Sequence, residues 1–110
     1  MGQFIQRIDN LGRREATTLA TATTQKVFAS LSSAVPSNRQ AVNLNNCDSS
    51  ADLYVTFTAA GASSPTISST DNDLIIPPKS SRQLQLGQAI DVWIRQSGAG
   101  TINYTAAELL

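Results

Sequence analysis

Histidine is absent from the 110 residues, which removes the side chain most often used as general base, proton shuttle or zinc ligand. A single cysteine, Cys47, excludes a disulfide framework within the chain and any cysteine-rich metal site. Charge is scarce: 15% of residues carry it, against roughly 25% in an ordinary soluble domain. No run approaches the roughly 18 apolar residues of a membrane-spanning helix, so no membrane partner is expected. The first residues lack the apolar run of a secretion signal, and Gln6 stands where a myristoylation pattern needs Ser or Thr. Synthesis in the cytoplasm is the expectation, and Asn103-Tyr104-Thr105 reads as strand residues that fit a glycosylation sequon by chance.

Hydroxyl side chains take the place of charge, with 24 residues being Ser or Thr. This is a poor recipe for helices and a fair one for strands and loops. The formal net charge is zero, without the basic excess of a compact nucleic-acid binder, so no nucleic-acid partner is expected. The balance is uneven. Residues 1–26 carry a net +2 and residues 27–110 a net −2, which suits head-to-tail contact between copies.

Composition changes near residue 36, dividing an N-terminal arm and first strand at 1–35 from a β-domain at 36–110. In the arm, Phe4, Ile5, Ile8 and Leu11 sit at helical spacing, which predicts a short helix over about 3–11 that Gly12 interrupts. Residues 16–24 are small and β-leaning with almost nothing large to bury, which predicts an extended arm held by a neighbouring subunit. Val27, Ala29 and Leu31 alternate, predicting a first strand with Phe28 on its other face.

Beyond residue 36, period-two runs alternate with turn residues. The apolar phases are Val42 and Leu44; Leu53, Val55 and Phe57; Leu74 and Ile76; Leu84 and Leu86; Ile90, Val92 and Ile94; and Ile102, Tyr104 and Ala106. This spacing predicts an all-β fold: a small antiparallel β-sandwich or jelly-roll-like barrel of about six to eight short strands, preceded by the extended arm.

Chemistry is thin. Without His, the abundant Ser and Thr have no base to activate them, and neither Ser-x-x-Lys nor Gly-x-Ser-x-Gly occurs. Asp71-Asn72-Asp73 and Asp48 with Asp52 could supply oxygens to calcium, but turns use Asp and Asn equally well for their own backbone bonding. The expectation is no enzyme, no cofactor and no metal. The aromatics say more. Trp93 falls out of phase with Ile90, Val92 and Ile94, and shares the outer face with Asp91 and Arg95; Tyr54 points outward by the same test. An outward Trp is an interface anchor, a sugar platform or a residue covered by the chain's own arm. The candidate interface residues are therefore Phe4, Ile5 and Ile8, the arm cations Arg13 and Arg14, and Tyr54, Trp93 and Arg95.

The stretch from Asn38 onward resembles a family of small phage virion β-domains. The residues that carry the likeness are the basic-led strand Asn38-Arg39-Gln40-Ala41-Val42-Asn43-Leu44-Asn45-Asn46, then Asp52-Leu53-Tyr54-Val55-Thr56-Phe57, and the step Leu74-Ile75-Ile76-Pro77-Pro78. Ile90-Asp91-Val92-Trp93-Ile94 and a closing strand from Thr101 to Glu108 complete it. The family usually places Gly after the Pro of the third of these, where Lys79 follows Pro78 here. The resemblance implies a structural virion role, with no catalytic residues to carry over.

The resulting expectation is a capsid decoration (cement) protein in the virion of a bacteriophage, made in the host cytoplasm. Its partners would be the major capsid protein or other virion proteins, and its own copies meeting as trimers. A head-fibre, neck or tail adaptor is the alternative, and a carbohydrate-binding module stands in a different class.

Overall fold

The structure, a computed structural model, describes residues 11–29, 31 and 35–110. Eight strands run along the chain: β1 (Leu11–Ala20), β2 (Gln25–Lys26), β3 (Ala41–Asn46), β4 (Leu53–Ala59), β5 (Leu74–Ile76), β6 (Ser80–Leu84), β7 (Ile90–Gln96) and β8 (Thr101–Leu109). They form two four-stranded sheets, ordered β1-β8-β3-β6 and β2-β7-β4-β5, with every pair antiparallel. The chain is the all-β sandwich that the alternation predicts.

Alternation places the core. Leu53 and Val55 are buried while Tyr54 and Thr56 face outward, and β7 and β8 behave alike, with Val92, Ile94, Ile102 and Tyr104 all buried. Phe57 and Ile90, expected inside, lie in the right phase but are half-buried, because they sit at the β4–β7 end where the sheet runs out. Polar groups fix the connections. Asn46 is buried at the end of β3; its amide donates to Ala51 O (2.8 Å) and Ile76 O (3.0 Å), and its oxygen accepts the Asp48 N–H. One side chain thus ties the β3–β4 turn to the end of β5. After Pro78, Lys79 has φ +54°, and its N–H donates to Asp48 O at 3.0 Å. Lys79 takes up the left-handed backbone that a glycine would adopt freely.

The arm differs most from expectation. Residues 11–20 are extended, as predicted, but they form an edge strand of their own domain, paired to β8 from Arg14↔Ala107 to Ala20↔Thr101. Leu19 is fully buried and Gln96 donates to its carbonyl at 2.8 Å. An edge strand needs only one buried face, so a segment of Ala and Thr with one large inward side chain suffices. The segment therefore needs no neighbouring subunit to order it. Of the helix predicted over 3–11, residues 3–10 lie outside the described residues, and Leu11 opens β1.

Nor do Val27, Phe28, Ala29 and Leu31 lie in a strand. β2 ends at Lys26, and Phe28 turns the chain with φ +68°. Val27 and Phe28 are both buried, so the predicted alternation of faces does not hold there. A bulky side chain in the left-handed region persists only where tertiary contacts fix it. Here the Phe28 N–H donates to the Glu15 carboxylate at 3.0 Å, and the Arg13 guanidinium lies 4.8 Å from the ring centroid.

A buried charge network closes this end of the sandwich. Glu108 is fully buried and accepts from Arg13 N (2.8 Å), Nε (2.9 Å) and Nη2 (2.8 Å), and from Arg39 Nη1 (3.2 Å). Arg39 also donates to the carbonyls of Leu86, Gly87 and Ile90, which ties the β6–β7 connection to β8. Burial alone would raise the Glu108 carboxyl, but bonding to Arg13 and then Arg39 outweighs it and holds the group below its ordinary range.

Candidate functional site: the outer face of the second sheet

The pleat of the β2-β7-β4-β5 sheet gives it one face toward the core and one away from it. Strand register orders the outer face into rows. Ile75, Tyr54 and Arg95 lie opposite one another across β5, β4 and β7. The next row is Thr56, Trp93 and Lys26 across β4, β7 and β2. Tyr54 and Trp93 are diagonal neighbours, roughly 7–8 Å apart at the backbone and within reach of each other's rings.

Three of the residues singled out from sequence, Tyr54, Trp93 and Arg95, thus meet on one face. Trp93 is fixed from two sides: its Nε1–H donates to Thr58 Oγ1 at 2.8 Å, and the Lys26 ammonium sits 5.7 Å from its ring centroid. Lys26 in turn approaches Asp91 at 3.8 Å, and Asp91 accepts the Gly61 N–H at 3.0 Å. Arg95 has no ion-pair partner among the described residues. Ile75 is the exposed large hydrophobic residue of the described chain, at 39%. The hydroxyl of Thr56, opposite Trp93, is buried without a hydrogen-bond partner. A positioned indole, a phenol, a guanidinium without an ion pair among the described residues and an isoleucine together offer stacking, hydrogen-bond, charge and apolar contacts on one face.

The other candidates fall elsewhere. Arg13 is a structural cation, its side chain 12% exposed and committed to Glu108. Arg14 is exposed on the outer face of the first sheet, beside a shallow depression also lined by Asn43, Asn45 and Thr105. Phe4, Ile5 and Ile8 lie outside the described residues. Within the acidic clusters, Asp48 holds a turn and Asp73 holds strand β4. Asp48 accepts from the N–H groups of Ala51 (2.7 Å) and Ser50 (3.0 Å), which hold its carboxyl below the ordinary range, and Asp73 accepts the Phe57 N–H at 2.8 Å.

Sequence reasoning missed Lys26 and Ile75. Ile75 falls out of phase with Leu74 and Ile76, so its outward direction is legible in the sequence; its place opposite Tyr54 is not, because that depends on strand register. A cavity of about 340 Å³ near the charge network is lined by Arg13, Lys26, Phe28, Leu31, Arg39 and Asp91 among others. Its cations are engaged by Glu108 and Asp91, and among the described residues no Ser, Thr or Cys lines it.

Comparison of the chain with protein-family models, with curated proteins and with solved structures finds no match.

Proposed function

We propose that the chain is a structural protein of a bacteriophage particle, a capsid decoration (cement) protein that grips the head shell through the outer face of its second sheet. The face itself carries the reading. Trp93, Tyr54 and Arg95 are of the types that dominate binding energy in protein interfaces, and they stand together on flat strands with Ile75.

The virion context rests on the sequence resemblance. Its elements coincide with β3, β4, β5, β7 and β8 in order. Its leading basic residue and its closing acid, Arg39 and Glu108, form an ion pair at 3.2 Å. Each copy contributes a modest contact, and repetition over the symmetric shell multiplies it. On this reading the partner is the major capsid protein or another virion protein, the place of action is the virion, and the chain performs no catalysis.

The test is to count copies in purified particles by quantitative mass spectrometry and to rebind the protein to particles stripped of it. Decoration predicts a copy number set by the shell's symmetry axes. A few copies per particle would favour a neck, tail or head-fibre adaptor. The diagonal Tyr54–Trp93 pair also favours a second reading, a sugar platform. That reading predicts binding of free glycans by the isolated protein, whereas decoration predicts binding to assembled shells alone.

A further inference from the structure

We infer that two copies of the chain pair through their β1 strands, antiparallel and about a two-fold axis at Thr18, to join their first sheets into one. The inference rests on the backbone of the edge and not on the virion reading.

Edge strands expose unpaired backbone groups, and natural sheets blunt them by brevity, charge or proline. Three of the four edges here are blunted. β2 has 2 residues, β5 has 3 and runs into Pro77-Pro78, and β6 has 5 with Arg82 at its centre. β1 has 10 residues; its charges (Arg13, Arg14, Glu15) and its bulge all precede Ala16, and among the described residues no strand pairs with the far side of residues 16–20.

Which groups are unpaired follows from register. The Thr21 N–H donates to Gly100 O, continuing the β1–β8 register by one pair. Bonding alternates along an antiparallel ladder, so Glu15, Thr17 and Leu19 turn their backbone groups toward β8. Ala16, Thr18 and Ala20 turn theirs outward. The other side of β8 gives the same answer. Cys47 N–H donates to Asn103 O, which assigns Asn103, Thr105 and Ala107 to β3 and leaves Ile102, Tyr104 and Ala106 for β1.

A second copy satisfies these groups by symmetry. About a two-fold at Thr18, Thr18 faces Thr18, and Ala16 faces Ala20 in both directions. Every outward N–H and C=O of the three residues then meets its counterpart in a regular ladder. Residues 16–20 carry no charge. Arg14 and Glu15 would come opposite Ala22 and Thr21, where φ +57° at Ala22 already turns the chain out of the strand. No charge meets a like charge.

The test uses the full chain in sedimentation velocity over a concentration series. Wild type should reversibly form a dimer. Thr18→Lys and Thr18→Glu should each weaken association by about tenfold or more, since each puts like charges directly opposite. At concentrations where wild type is monomeric, both should keep its melting curve, because Thr18 is exposed and turns no backbone group to β8. A 1:1 mixture of the two variants should dimerise again. A wild type that stays monomeric, a trimer, a dimer insensitive to either charge, or a mixture that stays monomeric would each overturn the inference. Shell binding by a monomeric wild type would leave the proposed function standing while this inference falls.

Discussion

Arg39 and Glu108, 69 residues apart in sequence, form a buried ion pair at 3.2 Å, their side chains 2% and 0% exposed. The pair fastens the lead into β3 to the end of β8, and Arg13 clamps the same carboxylate from β1. Removing the charge leaves two guanidiniums without their shared carboxylate. Glu108→Gln should therefore cost about 3–5 kcal/mol, the range for breaking a buried pair from one side. Urea unfolding measures it, and a cost below about 1 kcal/mol would show that the network is not what closes the sandwich.

The same carboxylate sets an acid limit. Its two Arg partners hold Glu108 below its ordinary range in the folded state, so folding favours the ionised form. That stability is fully present above the carboxyl's unfolded pKa of roughly 4.3 and is lost as pH falls through the lower folded value. Wild type should lose stability over this acid window, and Glu108→Gln should lose less there. Thermal melts of both proteins between neutral and acid pH check the difference in slope.

Tyr104 poses the opposite case. Burial first, and then its bond to the Glu15 carboxylate, push the phenol above its ordinary pKa, while Gln25 donates to the same oxygen at 2.7 Å. The neutral phenol is the folded form, so stability is fully present below about pH 10 and falls as pH rises beyond it. Tyr104→Phe keeps the ring and deletes the hydroxyl, which should cost about 1–3 kcal/mol by leaving buried polar partners short of a bond. Denaturant unfolding at neutral pH reads the cost, and alkaline melts read the lost pH dependence.

Much of this architecture is legible in period two. Leu53, Val55, Val92, Ile94 and Ile102 declare the core, and Trp93 declares the outer face, because a strand buries alternate residues. β1 escaped because its inward phase holds Glu15, Thr17 and Leu19, only one of them apolar. The charge network escaped because sequence reasoning makes Arg13 an interface cation, and Arg39 and Glu108 only the lead and close of strands. A signal was present: Glu108 shares the phase of Ile102, Tyr104 and Ala106, and Glu15 shares that of Leu19. A carboxylate on an apolar phase calls for a buried cation. The turn at Phe28 had no such signal, since its backbone is fixed by contacts with Glu15 and Arg13 that only the fold creates.

Lys79 carries a testable local strain. Its left-handed φ of +54° costs a side-chain-bearing residue about 1–2 kcal/mol, part of which a glycine returns through its greater unfolded-state entropy. Lys79→Gly should therefore stabilise the fold by about 0.5–1 kcal/mol. A shift in urea midpoint at constant m-value measures it; destabilisation would mean that the lysine side chain matters more than its backbone.

The proposed function depends on the outer face of the second sheet, and rebinding to stripped particles tests it most directly. Trp93→Ala and Arg95→Glu should each melt near wild type, because neither side chain reaches the core. Both should weaken particle binding by about tenfold or more, as expected for interface anchors. Leu53→Ala, fully buried, should instead cost about 2–5 kcal/mol of stability. Full binding of particles by a folded Trp93→Ala, Arg95→Glu double variant would contradict the assignment of this face.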